Sequence, residues 1–388
     1  VISSVPPVSV LIKPASSKCN LKCQYCFYHD VANSRAVADF GFMSLETIEV
    51  IIKKVLQFAS GCATFAFQGG EPTLCGLDFF RSVVELQNRH NVNNVRIENS
   101  IQTNGILVDT EWAEFLNENN FLVGLSLDGP EELHDKFRVN AGGKGTYRKV
   151  MRTVSLFDKH RVAYNILFVV TDSTAGHPEK VYDFFKSHHF DFLQFMPCLD
   201  PQDDKRGAHG YSLTPKRYAV FLKRFFDKWS ADFLGGREVS VRYFDNLVRM
   251  VMGMPPEMCS LHGSCQCQFV FEADGSVYPC DFYVTDAWKL GTIRDKGLIE
   301  LYETDTSRHF IESSLPVAPG CGDCCWKFLC RGGCRRDRDT GQDDELARNY
   351  YCEAYADFLA YAYPGLLDLA RYVQAVRARR AARTDSQP

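Results

Sequence analysis

Residues 8–13 alternate around β-branched and apolar positions and read as a strand. From Ser44 the period changes. Ser44 is a good N-cap, and Ile48, Ile51, Ile52, Val55 and Leu56 then recur at helical spacing. Strand-like runs follow at 63–67, 95–103, 121–127, 163–170 and 190–196, with helical patterns between them at 77–90, 110–119, 147–160 and 178–188. Alternation of this kind predicts an α/β fold, with parallel strands and helices packed outside. Six strand–helix units are too few to close an eight-fold barrel, so a partial (β/α)6 barrel is expected. In such folds ligands sit at the C-terminal ends of the strands, which makes the residues just after each strand the informative ones.

Beyond the sixth strand, residues 200–211 are polar and contain glycine, as a surface loop closing a domain would be. Residues 215–233 carry Tyr218, Phe221, Leu222, Phe225, Phe226 and Trp229 as one apolar helical stripe, the ordinary pattern of core packing. Residues 269–280 read as a hairpin, two β-rich runs about Asp274-Gly275. The expected organisation is a barrel over 1–233, a small Cys-rich domain with a β-hairpin and helices over 234–370, and a tail over 371–388. That tail, rich in Arg and Ala, reads as a frayed helix end without chemistry.

Composition narrows the function classes. The chain has 388 residues, 45% of them apolar and 24% charged, as in an ordinary globular protein long enough to bury a core. A net charge of −4 gives no electrostatic case for nucleic acid or an anionic membrane. No window reaches the apolar length of a membrane span, and residues 1–10 lack the basic and apolar regions of a secretion signal. Sixteen cysteines are therefore better read as metal ligands than as disulfides, in a reducing cytoplasm.

Three of those cysteines, Cys19, Cys23 and Cys26, stand at C-x3-C-x2-C spacing directly after the first strand. Three thiolates can hold three irons of a 4Fe-4S cube and leave the fourth open to a small molecule, whereas an electron-carrying cube closes all four. A zinc knuckle is the plainer alternative and needs a fourth, distant ligand. The second strand ends in Gln68-Gly69-Gly70-Glu71-Pro72, the third in Gln102-Thr103-Asn104-Gly105 and the fourth in Ser126-Leu127-Asp128-Gly129. Each is compatible with simple turn chemistry, but all converge on one rim, and paired glycines let backbone approach a ligand. Farther on come Cys259, Cys265, Cys280 and then Cys321-x2-Cys324-x5-Cys330-x3-Cys334 with Cys352. These supply the eight ligands of two closed cubes, or of two structural zinc sites.

The Cys19–Cys26 loop, with Tyr25 before the last cysteine, resembles the signature of the radical S-adenosylmethionine (SAM) superfamily, and Gly69-Gly70-Glu71-Pro72 resembles its element for the methionyl amine. The later cysteines resemble a SPASM extension. From Tyr278-Pro279-Cys280-Asp281-Phe282-Tyr283 and several other runs, nearly the whole chain resembles the anaerobic sulfatase-maturating enzymes, which oxidise a Cys or Ser of a sulfatase to Cα-formylglycine. The resemblance implies three 4Fe-4S clusters and SAM. Cys19, Cys23 and Cys26 would hold the first cluster, Cys259, Cys265, Cys280 and Cys334 the second, and Cys321, Cys324, Cys330 and Cys352 the third. Cys267 and Cys325 would be surplus. It further implies SAM contacts from Tyr25, Gly69, Gly70, Glu71, Ser126, Arg138 and Leu199, peptide contacts from Tyr28 and Gln68, and Asp281 as general base. A 5′-deoxyadenosyl radical would abstract a hydrogen, a second electron would leave through the auxiliary clusters, and a low-potential donor such as flavodoxin or ferredoxin would start the cycle. The rival within this chemistry is a peptide-crosslinking enzyme forming thioether or carbon–carbon bonds. Many of these carry a peptide-recognition domain before the cluster loop, where this sequence has only residues 1–18. A non-catalytic iron–sulfur or zinc module leaves the missing fourth cysteine unexplained.

Overall fold

The computed structural model describes residues 7–202, 204–339 and 347–384, with side chains to residue 379. Residues 1–6 of the stretch read for a signal, Asp203 of the polar loop and 385–388 of the tail lie outside the described residues. In chain order the first elements are β1 (Val8–Ile12), α1 (Phe27–Asn33), α2 (Leu45–Phe58), β2 (Cys62–Phe67), α3 (Leu77–His90), β3 (Arg96–Thr103), α4 (Thr110–Glu118), β4 (Leu122–Ser126), α5 (Glu131–Phe137), α6 (Tyr147–His160) and β5 (Tyr164–Val170). There follow α7 (Asp172–Ala175), α8 (Pro178–Ser187), β6 (Phe192–Pro197), α9 (Pro215–Leu234), β7 (Ser240–Val241), α10 (Arg242–Val251), β8 (Val270–Phe271), β9 (Ser276–Tyr278), β10 (Gly291–Thr292), α11 (Leu298–Tyr302), α12 (Asp305–Glu312), α13 (Lys327–Cys330) and α14 (Cys352–Thr384). The predicted strands and long helices are all present within a residue or two. The short helices α1 and α5 span too few turns to show a period.

The chain forms two compact units, and neither is one continuous stretch. The first comprises 1–127, 131–167 and 266–313, and the second 128–130, 168–265 and 314–388. In the first unit β1 to β5 are parallel neighbours, with Val8 opposite Ala63, Cys62 opposite Arg96, Ser100 opposite Leu122 and Val123 opposite Tyr164. Val10, Ile12, Phe65, Phe67 and Ile101 turn one face of the sheet to the helices and are buried. Phe67, Phe80, Trp112, Phe115 and Phe121 interlock there as edge-on and tilted ring pairs. Ser44 caps α2 as predicted, its side chain accepting from the Thr47 N–H.

The hairpin forms as predicted, β8 antiparallel to β9, with Gly275 at φ +89° in its turn. It is not an isolated feature of a later domain, however. β8 runs parallel to β1, Leu11 opposite Val270 and Ile12 opposite Phe271, so the hairpin extends the edge of the first sheet. Val31 of α1 joins Val270, Tyr278 and Val284 in a small core against Leu11 and Phe27, which fastens the hairpin to the helix that follows the cysteine loop. In the second unit β6 pairs with β7, and the aromatic stripe of α9 is core, Phe226 meeting Phe358 of α14 at 5.8 Å. No helix among the described residues is long and apolar enough to cross a membrane.

Candidate active site

The loop carrying Cys19, Cys23 and Cys26 leaves the C-terminal end of β1 and runs into α1. Its path is set by backbone bonds from Lys22 N–H to Val139 and from Gln24 N–H to Phe137, and by Ser16 in the left-handed region at φ 51°. Tyr25 is buried edge-on to Phe137, and the Arg138 guanidinium lies 5.5 Å from its ring centroid. The Cys19 sulfur accepts from Leu21 N–H at 3.4 Å and from the Asn104 amide at 3.8 Å. Burial pushes the Cys19 thiol up to about 11 and also raises Cys26, and Cys26 and Cys19 lie near enough to repel as thiolates. None of the sixteen cysteines is joined to another in a disulfide. Crowded, partly buried thiols of this kind ionise only beside a compensating positive charge, and iron supplies it. The donor set therefore fits a thiolate-bound cluster.

The polar strand ends meet this loop. Gly69 and Gly70 sit at φ 87° and 49°, and a Cβ at Gly70 would stand 2.2 Å from the Lys18 carbonyl oxygen. One at Gly69 would stand 2.6 Å from Lys13 Cε. Both glycines are thus required by the close approach of this turn to the neighbourhood of the cysteine loop. Glu71 is fully buried, and its carboxylate accepts from Thr73 N–H and hydroxyl, from the Thr103 hydroxyl and from Asn104 N–H, at 2.6 to 3.1 Å. It ties the ends of β2 and β3 together. Ser126 accepts from the Gln102 amide at 3.1 Å, and Leu199 belongs to the second unit.

Asp281 opens a single 3-10 turn directly after Cys280 and is 7% exposed. Its Oδ2 accepts the Tyr28 hydroxyl at 2.6 Å and the Gln68 amide at 3.1 Å, while the same amide donates to the Tyr28 oxygen at 2.7 Å. Oδ1 is buried, has no hydrogen-bond partner among the described residues, and faces Lys13 Nζ at 3.7 Å. Lys13 also lies 4.6 Å over the Tyr28 ring. Burial pushes the Asp281 carboxyl up, and the Lys13 charge and the Tyr28 hydroxyl oppose that rise. Close behind, Arg35 Nη1 donates to Glu272 Oε2 at 2.6 Å, with both side chains at most 1% exposed. Arg35 also donates to Ser16 Oγ and to the Ala38 carbonyl. The pair joins the start of the cysteine loop to the hairpin.

In the second unit Cys321, Cys324, Cys330 and Cys352 line one small cavity with Lys327, Arg338 and Asn349. Burial, and after it repulsion from Cys352, Cys321 and Cys324, push Cys330 up to about 11. Cys334 lies with Cys259 and Cys265 instead, and burial raises it strongly. Cys280 and Cys267 belong to the first unit, Cys267 beside the Ser307 hydroxyl, and Cys325 is exposed. Sequence reasoning placed Asn104 on the rim, in the run that ends β3, and missed Lys13, the Arg35–Glu272 pair and Arg338. A lysine closing an otherwise apolar strand was the one signal for Lys13, and the others have none outside three dimensions.

Residues 14–185 match the radical SAM superfamily, and residues 263–325 match an iron-sulfur cluster-binding domain, SPASM. A cysteine-type anaerobic sulfatase-maturating enzyme from Clostridium perfringens is 52% identical over 370 residues, covering 95% of this chain and 100% of the relative. A serine-type enzyme from Bacteroides thetaiotaomicron is 33% identical over 377 residues, covering 92% and 90%. The solved structure of native anSMEcpe with bound AdoMet and Cp18Cys peptide superposes with a TM-score of 0.92, at 52% identity, over 95% of this chain and 100% of that one. The two matched domains imply iron–sulfur clusters and SAM. On this identity over nearly full lengths, the chain is a radical SAM enzyme with a SPASM domain and belongs to the anaerobic sulfatase-maturating enzymes.

Proposed function

We propose that the protein oxidises the side chain of a cysteine or serine in a sulfatase polypeptide to Cα-formylglycine, with Asp281 as the general base. Relatives named for this reaction support the substrate class, and the wider identity to the cysteine-type relative than to the serine-type one, 52% against 33%, favours cysteine. The single observation that carries the base is Asp281 Oδ1, a buried carboxylate oxygen with no hydrogen-bond partner among the described residues. Oδ2 is occupied by Tyr28 and Gln68, so the free lone pairs point from Oδ1 alone. Lys13 Nζ lies 3.7 Å from that oxygen, and an approaching thiol or hydroxyl can give up its proton there.

When bound, SAM and three 4Fe-4S clusters supply the radical that removes one Cβ hydrogen and the acceptor for the second electron. Cys19, Cys23 and Cys26 would hold the first cluster, and Tyr25, Gly70, Ser126 and Arg138 would contact SAM. Cys321, Cys324, Cys330 and Cys352 would hold one auxiliary cluster, and Cys259, Cys265 and Cys334 would take part in the other. Loss of the Cβ hydrogen, one electron and the thiol proton leaves a thioaldehyde, which water converts to the aldehyde with release of hydrogen sulfide. A low-potential flavodoxin or ferredoxin and a reducing cytoplasm suit such thiolate centres.

The test is anaerobic incubation of reconstituted protein, SAM and a reductant with peptides bearing Cys-x-Pro-x-Arg or Ser-x-Ala-x-Arg. Mass spectrometry is expected to find the thiol replaced by an aldehyde oxygen, or two hydrogens lost from serine. SAM cleavage with every peptide returned unmodified would overturn the proposal in favour of crosslinking chemistry.

A further inference from the structure

We propose that Arg338 is the electrostatic element that makes the cysteine-held clusters of the second unit good electron acceptors, its buried guanidinium lying between the two cysteine groups. This rests on the cluster assignment above.

Arg338 is 4% exposed. One of its terminal nitrogens donates to the Ser314 carbonyl at 3.1 Å and the other to the Pro316 carbonyl. Among the described residues its hydrogen-bond partners are these carbonyls, and none is a carboxylate. A buried cation held only by neutral dipoles lacks countercharge. Among the described residues the anionic groups that act on its charge are thiols, Cys265, Cys321 and Cys334, and Arg338 lines the cavity of Cys321, Cys324, Cys330 and Cys352. Ser314 connects the two sides, its carbonyl taking Arg338 and its hydroxyl accepting the Cys265 N–H at 2.8 Å. A cube with four thiolates is an anion, and reduction adds one more negative charge. A fixed cation in a low-dielectric setting therefore stabilises the reduced form more than the oxidised one and raises the potential. The reaction needs such a bias, because the second electron must leave the substrate promptly once its proton has gone.

The experiment compares Arg338→Gln and Arg338→Lys with the wild type, each as full-length protein reconstituted anaerobically, by iron content and by redox titration followed by electron paramagnetic resonance. Arg338→Gln is expected to keep its iron and to show a roughly tenfold lower reduced-to-oxidised ratio of the auxiliary clusters at the wild-type midpoint, a shift of about 59 mV downward for a one-electron centre. Arg338→Lys, which keeps the charge, should shift by much less. Wild-type potentials in the Gln variant would overturn the inference, as would an equal shift in both variants. Loss of about four irons in the Gln variant would assign Arg338 to holding segment 314–316 rather than to charge, and would overturn it too. A wild type without iron at these cysteines would sink the cluster assignment itself, a separate result.

Discussion

Asp281 divides its work between two oxygens. Oδ2 is spent on Tyr28 and Gln68, and Oδ1, without a hydrogen-bond partner among the described residues, is the oxygen that the proposed mechanism gives to the substrate proton. Asp281→Asn keeps the shape and one acceptor but offers no site for a proton, so formylglycine formation should fall about 10²- to 10⁴-fold. Formation of 5′-deoxyadenosine should persist, because hydrogen abstraction does not use this carboxylate. Assay of both products from one reaction checks this, and equal loss of both would move Asp281 from proton transfer to substrate placement. Cys267 and Cys325 make the opposite prediction. One is beside Ser307 and the other is exposed, and neither joins the grouped cysteines of the second unit. Alanine at either position should leave iron content unchanged, whereas alanine at Cys19, Cys23 or Cys26 should abolish SAM cleavage. Asp245 predicts a pH effect. Burial pushes its carboxyl up to about 6, although Ser240 donates to it at 2.6 Å. A raised carboxyl binds its proton more tightly folded than unfolded, so its contribution to stability is complete below its unfolded value and is lost as pH rises through about 6. Asp245→Asn can still accept from Ser240 and escapes that loss. Thermal unfolding should show no advantage for the variant near pH 4 and a gain of about 3 kcal/mol or less above pH 7.

Among the elements, the hairpin of β8 and β9 sets the distance between Asp281 and Tyr28. Its seat is the β1 edge, fixed by Lys13 N–H donating to the Phe271 carbonyl at 2.8 Å and by the apolar contacts of Val270 and Tyr278 with α1. The Arg35–Glu272 pair pins the same joint from inside. Removing one member of a buried pair leaves the other charge uncompensated, at a cost of about 3–5 kcal/mol. Glu272→Gln should therefore lower the unfolding temperature. It should also raise the amount of 5′-deoxyadenosine formed per formylglycine, since a loosened hairpin misplaces the base without touching the cysteine loop ligands. An unchanged ratio would show that the apolar contacts alone hold the register.

For the molecule as a whole, the cysteine groups predict about twelve irons per chain after anaerobic reconstitution, four for each cube. Iron and sulfide analysis checks it, and about four irons would leave only the first cluster standing. The two units are each assembled from separate stretches, so the order of domains along the chain is not the order of packing. Segment 266–313 follows α10 in sequence yet belongs with β1 to β5, and this is why a linear division at residue 234 says little about which residues meet Asp281. Periodicity is a local signal, and it was enough for β1 to β6, for α2, α3, α4, α6, α8 and α9, for the Ser44 cap of α2, and for the turn of the hairpin. Thiol spacing is local as well, so the chain by itself announced an open three-cysteine site and the types of ligand beyond it. The pairing of β8 with β1, the burial of Arg35 against Glu272, the seat of Lys13 against Asp281 and the place of Arg338 among the thiols join residues far apart in sequence. Nothing in a residue's neighbours along the chain encodes such contacts. They follow from which apolar faces close on one another, and that only the folded structure decided.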